Sequence, residues 1–399
     1  MRHSTKRVTF LLLFISIFFK GEAQRLIFDE NIPVEKIRVV LEQTQGGTVS
    51  EMLTDLEYIP LQTAKGDLID RITDITILGD RVGVITNYGV GHFYLFALDG
   101  TLIKKISKID GFKHENKNNK TLFSNMVAED GKFVLSNYPF KAWVDTDGNI
   151  LDTLTEKRNV AEREDGQYIH EQLSIRPDST YYYYGTSYHD NRKRQDVLTL
   201  NDSVLIHYNP LDTNRTNFSM VSGGFSKWKN NKAYLSISQK TQIFVLGTRG
   251  IEKVYDIVFP LRNTIGENEI LKYKDWQDFY KYIQANQDKV LEVGATMRYG
   301  EYLIFKVGRW LKRPWLVYHP ETKAIYGLNN IVPDKSNDYL DFLDQNTLFV
   351  EGDYLYSFIY PNQLRQAKNK ALDERHTISK ATADLEKYNN PVLVRFKLK

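Results

Sequence analysis

A strand-and-turn grammar that repeats along the chain constrains its fold more than any other feature. Residues 71–106 read as four short strands. These are Ile72–Leu78, a Gly79-Asp80 turn, Val82–Thr86, a loop at Asn87–Gly91, Phe93–Leu98, an Asp99-Gly100 turn and Thr101–Ile106. Gly-Asp and Asp-Gly between alternating apolar runs mark tight hairpins, because such turns need residues that tolerate a positive φ. The grammar returns about 48 residues later, a spacing within the range of four-stranded repeat units. The second copy runs Asn125–Ala128, Lys132–Ser136, Ala142–Asp145 and Asn149–Leu154. A third has Leu173–Arg176, Thr180–Gly185, a long polar loop, Val197–Leu200 and Ser203–Tyr208. The fourth has Gly224–Trp228, Ala233–Ser238, Ile243–Leu246 and Ile251–Val258, and the fifth runs from Gly294–Arg298 through Tyr302–Val307 and Trp315–Tyr318 to Leu328.

The sixth copy opens with Tyr339–Leu343, Thr347–Glu351 and Tyr354–Tyr360, but its outer half is displaced. Pro391–Leu398 supplies a late strand, and Leu56–Thr63 is an orphan strand ahead of the first copy. Joining those two ends in one blade closes a ring and removes exposed sheet edges, which an open stack would leave bare. The expected fold is therefore all-β, a six-bladed β-propeller of four-stranded blades whose last blade is shared by the N- and C-terminal strands. Two short helical inserts interrupt it, near 268–289 and 361–387. In the first, Trp276, Phe279, Tyr280 and Ile283 fall on one helical face with Asp275 as N-cap. In the second, Leu364, Ala371, Leu372 and Leu385 are helically spaced. Residues 24–54 form an N-terminal lead-in, and 55–399 form the propeller.

The first residues read as an export signal. Arg2, Lys6 and Arg7 precede an apolar run from Val8 to Phe19, too short to span a bilayer and suited to a signal peptide. Small residues at Gly21 and Ala23 place cleavage before Gln24. No later segment is long and apolar enough to cross a membrane. The chain has no cysteine, which excludes disulfides, thiolate metal sites, a cysteine nucleophile and a lipid-modified cysteine. Removing residues 1–23 takes away four of the 53 basic side chains and one of the 50 acidic ones, leaving 49 of each. A neutral chain without a basic run lacks the footprint of a nucleic-acid binder. The product is expected to be periplasmic or extracellular.

Three stretches carry a family resemblance: LEYIPLQT at 56–63, HFYLFALDGTLIKKI at 92–106, and NNPVLVRFKLK at 389–399. With the order of orphan strand, blades, helical insert and closing strand, the chain resembles a six-bladed β-propeller family of exported proteins from Gram-negative bacteria, of NHL- and TolB-like architecture. The resemblance covers nearly the whole mature chain and implies the fold. It carries no catalytic signature across, and the chain departs from the many members that hold a lipid-anchor cysteine.

In a four-stranded blade the connections between second and third strands gather on one face. In order they hold Asn87 and Tyr88, Asn137 and Tyr138, Tyr188 and His189 with Arg192 and Arg194, Gln239 and Lys240, and Arg309 and Trp310 with Arg313. Aromatic faces with amides and guanidinium groups suit stacking on sugar rings or gripping carboxylates. The eight histidines include no HxH or HxxxH pair, and the rim is poor in Asp and Glu, so neither a metal nor a cofactor is expected. Glu162, Glu164 and Asp165 read as solvated charge, and Ser222-Gly223-Gly224-Phe225 lacks the context of a phosphate loop. The reading that follows is a binding or scaffold module for a glycan, peptide or partner protein at the cell envelope. The alternative is a propeller enzyme, of lactone hydrolase or lyase type, with its site at the channel mouth. A purely structural envelope component is the third.

Overall fold

The structure is a computed structural model. It describes residues 26–399 except 65, 70, 87–90, 110–122, 124, 138–139, 156–166, 177–179, 190–192, 201–202, 209–222, 229–230, 267–268, 270–271, 274–275, 311 and 345. The export signal and its junction at Gln24 lie outside the described residues, as do Glu162, Glu164, Asp165 and Asp275.

The described strands form six sheets, each built around an antiparallel meander of four. Blade one is Ile72–Leu78, Arg81–Thr86, Phe93–Ala97 and Leu102–Ile106, within two residues of the sequence-based bounds. Blade two is Asn125–Glu129, Lys132–Asn137, Phe140–Val144 and Ile150–Thr155; blade three is Gln167–Arg176, Thr180–His189, Lys193–Leu200 and Ser203–Tyr208. Blade four is Gly224–Phe225, Ala233–Ser236, Gln242–Gly247 and Gly250–Val258; blade five is Glu292–Tyr299, Tyr302–Gly308, Trp315–Tyr318 and Ile325–Val332. The last blade is ordered Phe349–Glu351, Tyr354–Ile359, Val392–Leu398 and Leu53–Pro60, so the two displaced strands do pair, with Val392 against Pro60 and Leu398 against Leu53.

One expectation about the sixth blade needs correction, and the second insert is helical as expected. Tyr339–Leu343 is not a strand, because Asp338 and Tyr339 both take left-handed backbone, at φ 54° and 58°, which no extended ladder accepts. Its Leu340 and Phe342 are nonetheless buried. In the insert, which folds as helices Pro361–Asp373 and Lys380–Asp384, Leu364, Ala367 and Ala371 face inward, whereas Leu372 is 48% exposed. The helix turns Leu372 about 100° away from Ala371, which puts it at the solvent margin of the buried face.

The lead-in also forms sheet. Leu26–Ile27 pairs antiparallel with Ser203–Tyr208, Val34–Arg38 runs parallel to Gly250–Val258, and Gln45–Thr48 runs parallel to Ile325–Val332. Blades three, four and five thus each carry a fifth strand before the chain enters blade six. The approach in blade five requires glycine: a Cβ on Gly46 would lie 2.3 Å from the Asn330 carbonyl oxygen.

Packing divides the chain into two units. One holds the residues up to Arg38, 160–295 and 308–312; the other holds 39–159, 296–307 and 313–399. In the first, Tyr182, Leu198 and Ile206 of blade three pack on Leu235, Phe244 and Leu246 of blade four, with Phe28 and Ile32 of the lead-in against them. The Tyr182 hydroxyl donates to the Gly247 carbonyl, and burial pushes its pKa up. In the second, Ile59, Phe358 and Leu393 of blade six pack on Ile75, Val84 and Tyr94 of blade one. Phe93 and Ile85 of blade one meet Phe133 and Leu135 of blade two in the same way. Buried Asp74 straps those two blades together by accepting the Met126 N–H at 2.8 Å.

Candidate functional site

Asn87, Tyr88, Tyr138 and Arg192 lie outside the described residues. Asn137 ends its strand half-buried and pairs with Phe140. Tyr188 and His189 lie within a strand rather than a loop, paired with Arg194 and Lys193. The run from Tyr181 to Tyr188 is rich in β-formers, and the backbone ladder continues to its end instead of opening after Gly185.

In the first unit, the turn between Ala233–Ser236 and Gln242–Gly247 covers a buried carboxylate. Gln239 takes left-handed backbone, at φ 62°, and its N–H donates to Oε2 of Glu292 at 2.6 Å. The Lys240 carbonyl accepts the Val293 N–H at 2.9 Å, which fixes the start of that strand beside the turn. Glu292 is wholly buried. Gly308 leaves room for it, since a Cβ there would come within 2.8 Å of the Glu292 Cγ.

Arg309 and Trp310 are held by their own neighbourhood. The Arg309 Nε–H donates to the Lys312 carbonyl at 2.9 Å, and its guanidinium lies 3.8 Å from Asp288. Trp310 meets Tyr280 edge-on, with centroids 4.8 Å apart. Tyr280 belongs to helix Trp276–Ala285, which buries Phe279 and Ile283 against Leu291. Trp310 therefore helps to seat the first helical insert. Trp310→Ala is expected to cost about 2 kcal/mol, between the ~0.5 of an exposed residue and the ~3–5 of a fully buried aromatic. A urea midpoint equal to wild type would show that this ring contributes no packing.

In the second unit, Lys306 is a buried cation. It sits in the run Leu303-Ile304-Phe305-Lys306-Val307 and is only 5% exposed. It pairs with Trp315 across two strands, and its Nζ stands 5.1 Å from the Trp315 ring centroid. Burial, reinforced by the Arg313 guanidinium, lowers its pKa to about 8, against the opposing pull of Asp344. Among the described residues Lys306 makes no ion pair. The buried indole Nε1 of Trp315 has no hydrogen-bond partner among them either.

Asp344 is spoken for. Its Oδ2 accepts the Asn346 N–H at 2.8 Å, and Oδ1 accepts from Gln363 Nε2 at 3.4 Å. Its own N–H donates to buried Ser357 Oγ at 2.8 Å. Gln363 Oε1 also accepts the Tyr360 N–H at 2.9 Å, so Asp344 is tied to the cap of helix Pro361–Asp373. The loop-by-loop sequence reading named Gln239, Lys240 and Arg313 and did not name Glu292, Lys306 or Asp344. The available signal was a single charge inside an apolar strand, as in Val290-Leu291-Glu292-Val293, where burial without compensation is costly. Among the described residues no group of three metal-ligating side chains comes together. No helix of the described residues is long and apolar enough to cross a membrane.

Residues 29–110 match the model of a family described as 6-bladed beta-propeller. The chain has the six-bladed β-propeller fold. The propeller is similar to a Bacteroides fragilis crystal structure described as a candidate exported protein. That match has 14% identity and a TM-score of 0.62, covering 92% of this chain and 99% of that one. A luciferin-regenerating enzyme aligns at 12% identity and TM-score 0.39, over 86% of this chain and 97% of that one. A Bacteroides caccae protein of unknown function aligns at 10% identity and TM-score 0.33, over 67% and 82%. No curated protein matches the chain.

Proposed function

We propose that this propeller is an exported binding or scaffold module that takes a glycan, a peptide or a partner protein at the cell envelope through its second-to-third-strand connections. One observation carries the reading. Two of these connections stand over buried charge, Gln239 over Glu292 and Arg313 beside Lys306. Burying charge is expensive, and folds keep such groups where a ligand or a network repays the desolvation. Export is supported by the basic-then-apolar opening of the chain and by the similar B. fragilis protein described as a candidate for export.

The experiment is a thermal-shift screen of envelope glycans and peptides on the protein expressed with its first 23 residues. The mature N-terminus should be Gln24. A ligand at a hundred times its Kd stabilises by about 2.7 kcal/mol, a shift of several degrees at most for a chain this long. That shift should shrink in Tyr88→Ala and Tyr138→Ala. A panel with no hit would remove the binding reading, and Met1 retained on soluble protein would remove export.

A further inference from the structure

Buried cations in folded proteins are paired; where no partner is present, the group sheds its proton or waits for an anion from outside. Lys306 is such a cation. It is 5% exposed and its amine lies over the Trp315 ring, with no carboxylate within ion-pair distance among the described residues. The charges that act on it are Arg313, from the connection after its own strand, and Asp344, from the segment entering blade six. Arg313 has the same sign as Lys306, and among the described residues it too makes no hydrogen bond or ion pair. Asp344 spends its oxygens on Asn346 and Gln363. Beside these cations lies a third donor without a partner among the described residues, the indole Nε1 of Trp315, in a residue that is 1% exposed.

We propose that Lys306, Arg313 and the indole N–H of Trp315 form a carboxylate-binding pocket that takes a single carboxylate from a small ligand. The group is planar and singly charged, and it accepts from several donors at once, which matches two cations and an indole N–H. Asp344 adds negative charge at the edge of the pocket, which selects against ligands with a second carboxylate. This pocket rests on the reading that the second-to-third-strand connections bind ligands, and it names the chemistry they recognise. A uronic acid and the C-terminus of a peptide both present the required group.

The pocket is also proton-linked. A bound carboxylate stabilises the charged amine, so binding above about pH 8 must draw a proton into the protein. Binding is strongest while Lys306 is charged and weakens as pH rises through that value.

The test is titration calorimetry on the mature chain with glucuronate and with N-acetyl-glycylglycine. Glucose, N-acetyl-glycylglycine amide and inorganic phosphate serve as counterparts. At pH 7 at least one carboxylate probe should bind, and which one binds tells the saccharide source from the peptide source. Its affinity should fall at least tenfold in Lys306→Met and at pH 9.5. At pH 9, buffers of different ionisation enthalpy should report proton uptake. Arg313→Gln, at a half-buried position, tests the pocket without touching the core. Carboxylate binding unchanged in Lys306→Met would overturn the proposal, as would equal affinity for phosphate. Neutral probes that bind while the carboxylates do not would leave the binding function standing and remove this pocket. Silence from every probe would remove this pocket, and the thermal-shift panel would then decide the binding function by itself.

Discussion

Deleting Pro391–Lys399 is expected to abolish cooperative unfolding of the second unit. The strand Val392–Leu398 lies between Tyr354–Ile359 and Leu53–Pro60, so its loss bares two sheet edges and leaves the N-terminal strand of the blade without a neighbour. Val392, Leu393, Val394 and Phe396 are each at most 1% exposed. At about 1.5–3 kcal/mol per fully buried side chain, these four alone match the ~5–15 kcal/mol by which a domain is stable. Phe396 also meets Phe342 edge-on at 5.4 Å, and Phe396→Ala should cost about 3–5 kcal/mol by itself. Denaturant melts followed by near-UV circular dichroism provide the measurement. A truncated chain with the wild-type midpoint would show that blade six does not depend on its shared strand.

Lys306→Met should make the protein more stable at pH 7, by about 1–3 kcal/mol. The amine has a pKa of about 8 in the folded chain and 10.5 as its ordinary value. Below pH 8 both states hold the proton, and the folded state bears the whole cost of burying it. Between about pH 8 and 10.5 the unfolded chain binds more protons than the folded one, so wild-type stability from this group rises with pH. Methionine fills similar space without the charge. The gain of the variant should therefore be largest at pH 7 and shrink steadily towards pH 10. Urea midpoints of the pair from pH 6 to 10 check this, and the comparison between variants cancels other alkaline titrations. If Lys306→Met proved less stable than wild type at pH 7, the ammonium would be a net stabilising group.

What could be read from the sequence depended on whether side chains or backbone carried the information. Hairpins such as Ile72–Leu78 with Arg81–Thr86 announce themselves through alternation and a Gly-Asp turn. The shared blade was legible because PVLVRFKL and LEYIPLQT are short strand-like runs left over at the two ends of the repeats. The fifth strands were not. Val34–Arg38 and Gln45–Thr48 are VEKIR and QGGT, joined to their sheets along a backbone edge that asks little of side chains. Tyr339–Leu343 misled because two residues in left-handed backbone look like any others in sequence. At the candidate site, Gln239 and Arg313 could be found by counting loops. Glu292 and Lys306 could not, because whether a lone charge in a strand is buried is decided by neighbours far away in the chain.

The pairing of Leu53–Pro60 with Val392–Leu398 has a consequence for how the molecule comes into being. Glu57 and Arg395 form an ion pair across 338 residues of sequence. Contacts of such separation are made late, because the loop they close is long. A ribosome extends the chain at about 5–20 residues per second. The first strand of this pair therefore waits roughly 20–70 seconds for its partner to be synthesised. Throughout that interval the last blade cannot exist, and the strand Leu53–Pro60 stays without the neighbour that covers its edge.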